Sequence, residues 1–86
     1  MRVKIKPDVV FTVLDDEAVL LEQNSGKYFG LDSVGTRTWL LLSEHNHLSK
    51  VYELLLAEYE VSEGQLHDDL ENLVNKLIEN GLVEIL

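Results

Sequence analysis

The sequence predicts an α+β domain in which a small antiparallel sheet comes first and three helices follow. Short turn sequences separate runs of β-branched and aromatic residues in the first third of the chain, and this arrangement is typical of a meander of strands. Beyond these strands the apolar residues recur at every third or fourth position, which is the periodicity of an amphipathic helix. The order of the two patterns therefore indicates strands followed by helices rather than an alternation of the two.

Three strands make up the predicted sheet. The segments 9–14 and 18–22 are rich in apolar residues, and the acid pair at 15–16 between them is short enough for an antiparallel hairpin. The Asn-Ser-Gly turn at 24–26 leads into a third strand at 27–31, which carries two adjacent aromatic residues. Because a short turn joins the second and third strands, these two should be neighbours, and the other side of the third strand should have no partner.

The first two helices are predicted at about 34–45 and about 49–59. Either Asp32 or Ser33 can cap the first of them, since both side chains accept hydrogen bonds from exposed backbone N–H groups. In each helix the apolar residues recur on one face, so each should pack against the core along that face.

The third helix has the clearest boundaries. Ser62 followed by Gln65 fits a capping box at its start, and the Asn-Gly pair at 80–81 fits a C-terminal stop. Its apolar stripe is wider than a small core requires, and comprises Leu66, Leu70, Leu73, Val74, Leu77 and Ile78.

The two ends of the chain, 1–7 and 82–86, are apolar enough to form short strands or extended tails packed at an edge. A small three-stranded antiparallel sheet with three short helices behind it is typical of a winged helix-turn-helix. We therefore expect one domain of this kind spanning residues 1–86.

The charge balance excludes some classes of function. The 16 Asp and Glu residues against 7 Lys and Arg give a formal net charge of −9, and a domain this acidic repels the phosphates of a nucleic acid. The same field favours a cationic partner or a basic segment of one. The chain has no cysteine, which excludes disulfides and thiolate ligands. It shows neither a signal peptide nor an apolar run of about 18 residues, so we expect a cytoplasmic protein with no membrane partner.

No group of residues indicates catalysis or a bound cofactor. His45 and His47 fall in a polar segment between helices, and His67 lies beside the apolar stripe, so a zinc site is not favoured. The acid pairs at 15–16 and 68–69 are neighbours in sequence whose side chains diverge, which does not suit joint acid-base chemistry. We therefore expect no enzymatic activity, no metal and no cofactor.

The open side of the third strand is the candidate site. An unpaired strand edge offers a row of backbone donors and acceptors, and an extended peptide can add to it as a further strand. The apolar stripe of the third helix would supply side-chain pockets. Tyr28 must point away from Phe29 on an alternating strand, which leaves it available for recognition. Two other occupants of the edge stay open, namely residues 1–6 and a second copy of the chain.

Residues 20–39 read LLEQNSGKYFGLDSVGTRTW. Together with Ala-Glu-Tyr-Glu-Val at 57–61 and Leu-Ile-Glu-Asn-Gly-Leu-Val at 77–83, this pattern resembles the PqqD-like family, also known as RiPP precursor peptide recognition elements. The resemblance covers nearly the whole chain. It implies a winged helix-turn-helix domain without catalytic activity, which binds the leader segment of a ribosomally made precursor peptide as an added strand and delivers it to a modifying enzyme.

The resemblance also implies which residues bind the peptide. The strand edge would be supplied by Lys27, Tyr28, Phe29, Gly30 and Leu31. The facing wall on the third helix would be supplied by Leu66, Asp69, Leu70, Leu73 and Lys76. Which flank of the helical stripe faces the peptide stays open.

Among members of the family, the chain looks most like the free-standing leader-binding proteins of lasso peptide biosynthesis. That likeness implies a separate cysteine-protease subunit as the partner. The pyrroloquinoline quinone pathway, with a radical-SAM enzyme as partner, is the alternative. The predicted fold also allows two hypotheses of other classes, a winged-helix transcription regulator and a structural subunit whose strand edge pairs with itself.

Overall fold

The computed structural model describes all residues, 1–86, and divides the strands between two sheets. The chain runs through β1 Val3–Ile5, β2 Val9–Leu14, β3 Glu17–Glu22, β4 Lys27–Leu31, α1 Ser33–Glu44, α2 Leu48–Glu58, α3 Glu63–Glu79 and β5 Val83–Ile85. The α+β class is confirmed, as are the three central strands and the three helices that follow them. The bounds of α1 and α2 differ from the predicted ones by one residue at each end.

The arrangement of strands corrects the prediction of a single sheet. The sheet β2–β3–β4 is present in that order, but β1 and β5 form a second, two-stranded sheet. Val3 lies opposite Ile85, and Ile5 lies opposite Val83. The pairing joins the two ends of the chain, and a partner so distant in sequence leaves no local signal. It also places residues 3–5 against β5, so they do not cover the edge of β4.

The hairpin between β2 and β3 closes through a tight two-residue turn. Asp15 and Asp16 both have positive φ, at 49° and 65°, which is the conformation of a type I′ turn. The backbone twist of this turn matches the right-handed twist of the strands, and Asp tolerates left-handed φ better than most residues do. The turn sets the register, with Leu14 opposite Glu17.

The core lies between the inner face of the three-stranded sheet and the helices. Trp39 of α1 is fully buried at its centre, and Phe11 of β2 meets the indole edge-on, with ring centroids 5.7 Å apart and planes at 80°. Leu20 of β3 is equally buried on the same face of the sheet. One face of each helix contributes further buried residues: Leu41, Leu42, Val51, Leu55, Leu66, Leu70, Val74 and Leu77. None of the helices has the length and apolar composition needed to cross a bilayer.

Two helix caps fix where the helices begin. Asp32 caps α1, since its Oδ1 accepts the N–H of Gly35 at 2.8 Å. Ser62 caps α3, since its Oγ accepts the N–H of Gln65 at 3.2 Å. The predicted capping box is only half formed, because the side chain of Gln65 donates to Asp69 at 2.9 Å instead of returning to Ser62.

A buried hydroxyl joins the end of the sheet to α1. Thr36 Oγ1 accepts the N–H of Ala18 at 2.8 Å and donates to the carbonyl of Leu31 at 3.4 Å. Ala18 and Leu31 lie opposite each other in the register of β3 and β4. The hydroxyl therefore takes the place of the last hydrogen bond between β3 and β4. Thr36 as a whole is 3% exposed.

We expect Thr36→Val to lower the free energy of unfolding by about 1–3 kcal/mol, because it leaves the buried N–H of Ala18 without an acceptor. Thr38→Val is the matched control on the same helix. Thr38 is equally buried, but its hydroxyl only donates, to the carbonyl of Val34 at 2.9 Å. Urea denaturation of both variants checks the expectation, and an equal loss in the two would contradict it.

Candidate peptide-binding site

One long side of β4 has no strand beside it. The sheet order is β2–β3–β4, so β4 pairs with β3 alone. The N-terminal strand β1 does not cover it either, since β1 pairs with β5. β4 is therefore an open edge within the described chain.

The register determines which backbone groups of β4 face this open edge. In a two-residue hairpin the backbone groups of the two residues that flank the turn are hydrogen-bonded to each other. Leu14 and Glu17 are these two residues, so their N–H and C=O groups face each other. Along an antiparallel strand the direction of the backbone groups alternates, and Ala18, Leu20 and Glu22 consequently face β4. Their partners Lys27, Phe29 and Leu31 face back towards β3. The backbone N–H and C=O groups of Tyr28 and Gly30 are left to face outward along the edge.

The side chains of β4 divide between two faces of the sheet. Leu31 is buried and Phe29 is half-buried on the inner face, where Phe29 packs against the core. Tyr28 projects from the outer face and is 72% exposed, as its alternation with Phe29 predicts. Lys27 and Gly30 are exposed. The strand thus has one face anchored in the core and one face in solvent.

The five residues proposed on α3 divide into two groups. Leu66 and Leu70 belong to the hydrophobic core, so the core takes up most of the stripe that seemed wider than a small core requires. Leu73 is half-buried, and Asp69 and Lys76 are exposed. The spacing of these three residues places them together on one flank of the helix.

The two flanks of α3 differ in what packs against them. On the opposite flank, the ring of Tyr52 in α2 meets His67 of α3 edge-on at 6.4 Å between centroids. α3 packs chiefly on α2 and β5, whereas β4 packs chiefly on β3 and α1. The flank with Asp69, Leu73 and Lys76 therefore lies on the side of α3 away from Tyr52.

The outer face of the three-stranded sheet carries a second feature, which the sequence analysis missed. It is apolar and exposed, with Val10 and Leu14 from β2, Val19 from β3 and Tyr28 from β4. Its rim is acidic, because Asp8, Glu17 and Asp32 are exposed at or next to the ends of these strands. The signal was present in the sequence, because a strand with one wet face should alternate apolar and polar residues, and β2 has only Thr12 among five apolar residues.

Two glycines, one just before β4 and one within it, have different roles. Gly26 has φ of +72°, so the turn before β4 requires a residue that tolerates the left-handed region. A side chain at Gly30 would meet no atom within 4 Å, so the fold itself does not require glycine there. A glycine inside a strand often marks a place where a ligand or another backbone approaches closely.

Hydrogen bonds to Glu22 hold the turn that precedes β4. Its carboxylate accepts the N–H of Asn24 at 3.0 Å and the N–H of Ser25 at 2.7 Å. These bonds favour the charged form, and hydrogen bonding by Ser25 and then by Asn24 lowers the pKa of Glu22. Asn24 also donates to Asp8 at 2.8 Å, which ties the turn to the start of β2.

The comparisons with known proteins identify the family. The family described as coenzyme PQQ synthesis protein D (PqqD) matches residues 17–83. The chain belongs to the PqqD family. The match begins at the first residue of β3 and ends in β5, so it includes β4 and all of α3.

Two solved structures are similar to this PqqD-family chain. TbiB1, solved in complex with the TbiA(beta) leader peptide, is 40% identical, with a TM-score of 0.90 and 94% of each chain covered. A lasso peptide synthetase B1, solved in complex with its leader peptide, is 27% identical, with a TM-score of 0.86 and coverage of 99% of this chain and 100% of the other. No curated protein matches the chain.

We expect Glu22→Gln to weaken the turn that leads into β4 at neutral pH, because a neutral amide is a poorer acceptor for the two N–H groups. A carboxylate whose pKa is lower in the folded protein stabilises the fold above the pKa of the unfolded chain. That stabilisation is lost as the pH falls through the lowered, folded-state value. The difference in melting temperature between the two proteins should therefore be present at pH 7 and vanish in acid.

Glu84→Gln is the control, since Glu84 is exposed on β5 and is not part of this turn. Thermal unfolding across pH measures all three proteins. A difference for Glu22→Gln that does not change with pH would contradict the role of the charge.

Proposed function

We propose that this PqqD-family chain is a non-catalytic adaptor that binds the leader segment of a ribosomally made precursor peptide as an added strand on β4. The observation that carries the proposal is the open edge of β4 in a chain with 40% identity to a protein solved with a leader peptide. A leader held in this way would leave the rest of the precursor free for a processing enzyme.

Backbone hydrogen bonds would give most of the affinity. An antiparallel guest strand would exchange N–H···O=C bonds with Tyr28 and Gly30, whose backbone groups face outward along the edge. Because β4 is already ordered by β3, only the peptide loses conformational freedom on binding. The absence of a side chain at Gly30 lets the guest strand approach closely at this position.

Side chains on the two faces would select the sequence of the leader. Alternate residues of a guest strand point to opposite faces of the sheet. Residues on the inner side would lie towards Phe29 and towards the flank of α3 with Asp69, Leu73 and Lys76. Apolar leader residues would contact Leu73, and charged ones would find a partner in Asp69 or Lys76. Residues on the outer side would lie beside Tyr28.

The processing enzyme we propose is the cysteine-protease subunit of a lasso peptide system. The support is that both structural relatives are leader complexes and that one of them is described as a lasso peptide synthetase B1. The pyrroloquinoline quinone route, with a radical-SAM enzyme, is the alternative that the family's description suggests. The apolar outer face of the sheet, which continues directly from β4, is a suitable docking surface for such an enzyme, and its acidic rim favours basic residues around the partner's contact.

We also infer that the fold is a variant of the winged helix-turn-helix, with α1–α3 as the helical part and the β2–β3 hairpin as the wing. The net charge of −9 favours a peptide or protein partner over DNA. We place the protein in the cytoplasm, where ribosomally made precursors are produced.

We expect Gly30→Pro to weaken binding of the TbiA(beta) leader peptide about tenfold or more. The substitution removes a donor from the open edge and leaves the ladder with β3 intact, and a lost backbone bond plus the bulk of the ring should cost about 1.4 kcal/mol or more. Isothermal titration measures the affinity. Amide NMR shifts of the unsubstituted protein should cluster at residues 27–31.

Val13→Pro is the matched control on the other edge of the sheet. By the same alternation, the N–H of Val13 faces the open side of β2. Leader affinity should stay within about twofold of the original in this variant. If Val13→Pro weakens binding and Gly30→Pro does not, the peptide adds to β2, and the proposed site is wrong.

We expect Val19→Glu to leave leader affinity unchanged and to slow removal of the leader by the protease subunit about tenfold or more, because docking would bury an unpaired carboxylate. Val61→Glu is the control, since both valines are 44% exposed and Val61 lies between α2 and α3, away from the sheet. Timed cleavage of the precursor measures the rate. Equal rates for the two variants would argue against docking on the outer face.

A further inference from the structure

A cavity between α2 and α3 lies outside the proposed leader site. It has a volume of about 510 Å³, which falls within the range of about 300–1,000 Å³ seen for ligand pockets. Leu48 and Tyr52 of α2 form one wall, and Leu70 and Val74 of α3 form the other. These residues occupy the flank of α3 opposite to Asp69, Leu73 and Lys76, so a ligand here would not compete directly with a strand on β4.

The walls of this α2–α3 groove are held in place before any ligand binds. The hydroxyl of Tyr52 donates to the carbonyl of Glu63 at 3.2 Å, which ties α2 to the start of α3. The ring of Tyr52 meets His67 edge-on at 6.4 Å between centroids. Leu70 and Val74 are buried members of the core, which fixes the wall on α3. A preformed apolar groove loses little conformational freedom when a ligand enters.

The mouth of the groove is acidic. Glu71 lines it, and His67 Nδ1 lies 3.7 Å from carboxylate oxygens of both Glu71 and Asp68. The lining residues include Met1 with its α-amino group, but none of them is Lys or Arg, and the chain carries a net charge of −9. A ligand that fits this groove therefore combines apolar groups between the walls with a positive charge at the mouth.

The groove runs along α3, a shape that suits a helix. The lining residues of α3 run from His67 to Asn75, a length of about 12 Å at about 1.5 Å per residue. A channel between two packed helices receives the ridge of side chains of a third helix. A second copy of this chain does not suit it, because α3 carries five acids and one lysine and would meet like charge.

We propose that the α2–α3 groove binds a basic amphipathic helix of a partner protein, with its apolar residues against the half-buried Leu48 and Tyr52 and a lysine or arginine at Glu71. This site does not depend on the proposed binding of a leader to β4. Occupied together, the two sites would hold a precursor and a partner on opposite flanks of α3.

A model peptide of Leu and Lys, arranged as an amphipathic helix, tests the proposal, and the same peptide with Glu in place of Lys is its counterpart. The Leu-Lys peptide should shift the NMR signals of Leu48, Tyr52, Leu70 and Val74, and the Leu-Glu peptide should not bind. Glu71→Lys should weaken binding of the Leu-Lys peptide about tenfold.

Glu79→Lys, a charge reversal at an exposed position of the same helix outside the groove, should change the affinity less than about twofold. Equal weakening by the two reversals would mean non-specific attraction and would overturn the proposal. Shifts confined to residues 27–31, equal binding of the Leu-Glu peptide, or self-association of the chain through the groove in sedimentation would overturn it as well. None of these results would affect the test of the leader site, which uses a different peptide and different variants.

Discussion

The hydroxyl of Thr36 is the contact on which the geometry of β4 depends. It stands between the N–H of Ala18 and the carbonyl of Leu31, so one side chain of α1 connects the ends of β3 and β4. Only Asp32 separates β4 from α1, and it caps the helix. α1 in turn carries Trp39 into the centre of the core. The direction of β4 is therefore fixed by a helix that cannot move without disturbing the core, and a rigid edge binds a guest strand at a lower entropic cost than a mobile one.

The pairing of the two chain ends is what leaves that edge available. An unpaired strand edge is a hazard in most proteins, because it can pair with any other exposed strand. Here β1 could have covered it, but Val3 and Val83 are buried together in a second sheet beside α3. The open strand is only five residues long, which limits unwanted pairing while still offering a short ladder to a peptide.

Local signals account for the part of the fold that the sequence predicted. The type I′ turn at Asp15-Asp16, the turn ending at Gly26 and the cap at Ser62 each depend on a few neighbouring residues. The pairing of β1 with β5 was not predicted, because its partners lie at opposite ends of the chain. The reach of the Gln65 side chain towards Asp69 depends on the folded geometry and not on the spacing that suggested a capping box.

The candidate site, like the fold, was predictable from the sequence only in part. The open edge and the outward direction of Tyr28 follow from turn length and alternation. The sequence could not predict how much of the apolar stripe of α3 is buried in the core. Leu66 and Leu70 have the same helical spacing as the residues that remain accessible. The apolar outer face was readable from the lack of alternation in β2 and was overlooked.

Hydrogen exchange at two backbone amides is the most direct test of strand addition. The N–H groups of Tyr28 and Gly30 face the open edge, so they should exchange readily in the free protein and become protected when the TbiA(beta) leader peptide is bound. The N–H of Phe29 faces β3 and should be protected in both states. Protection of Tyr28 and Gly30 only in the complex is the result our account requires. Unchanged exchange at both amides, with the peptide demonstrably bound, would contradict it.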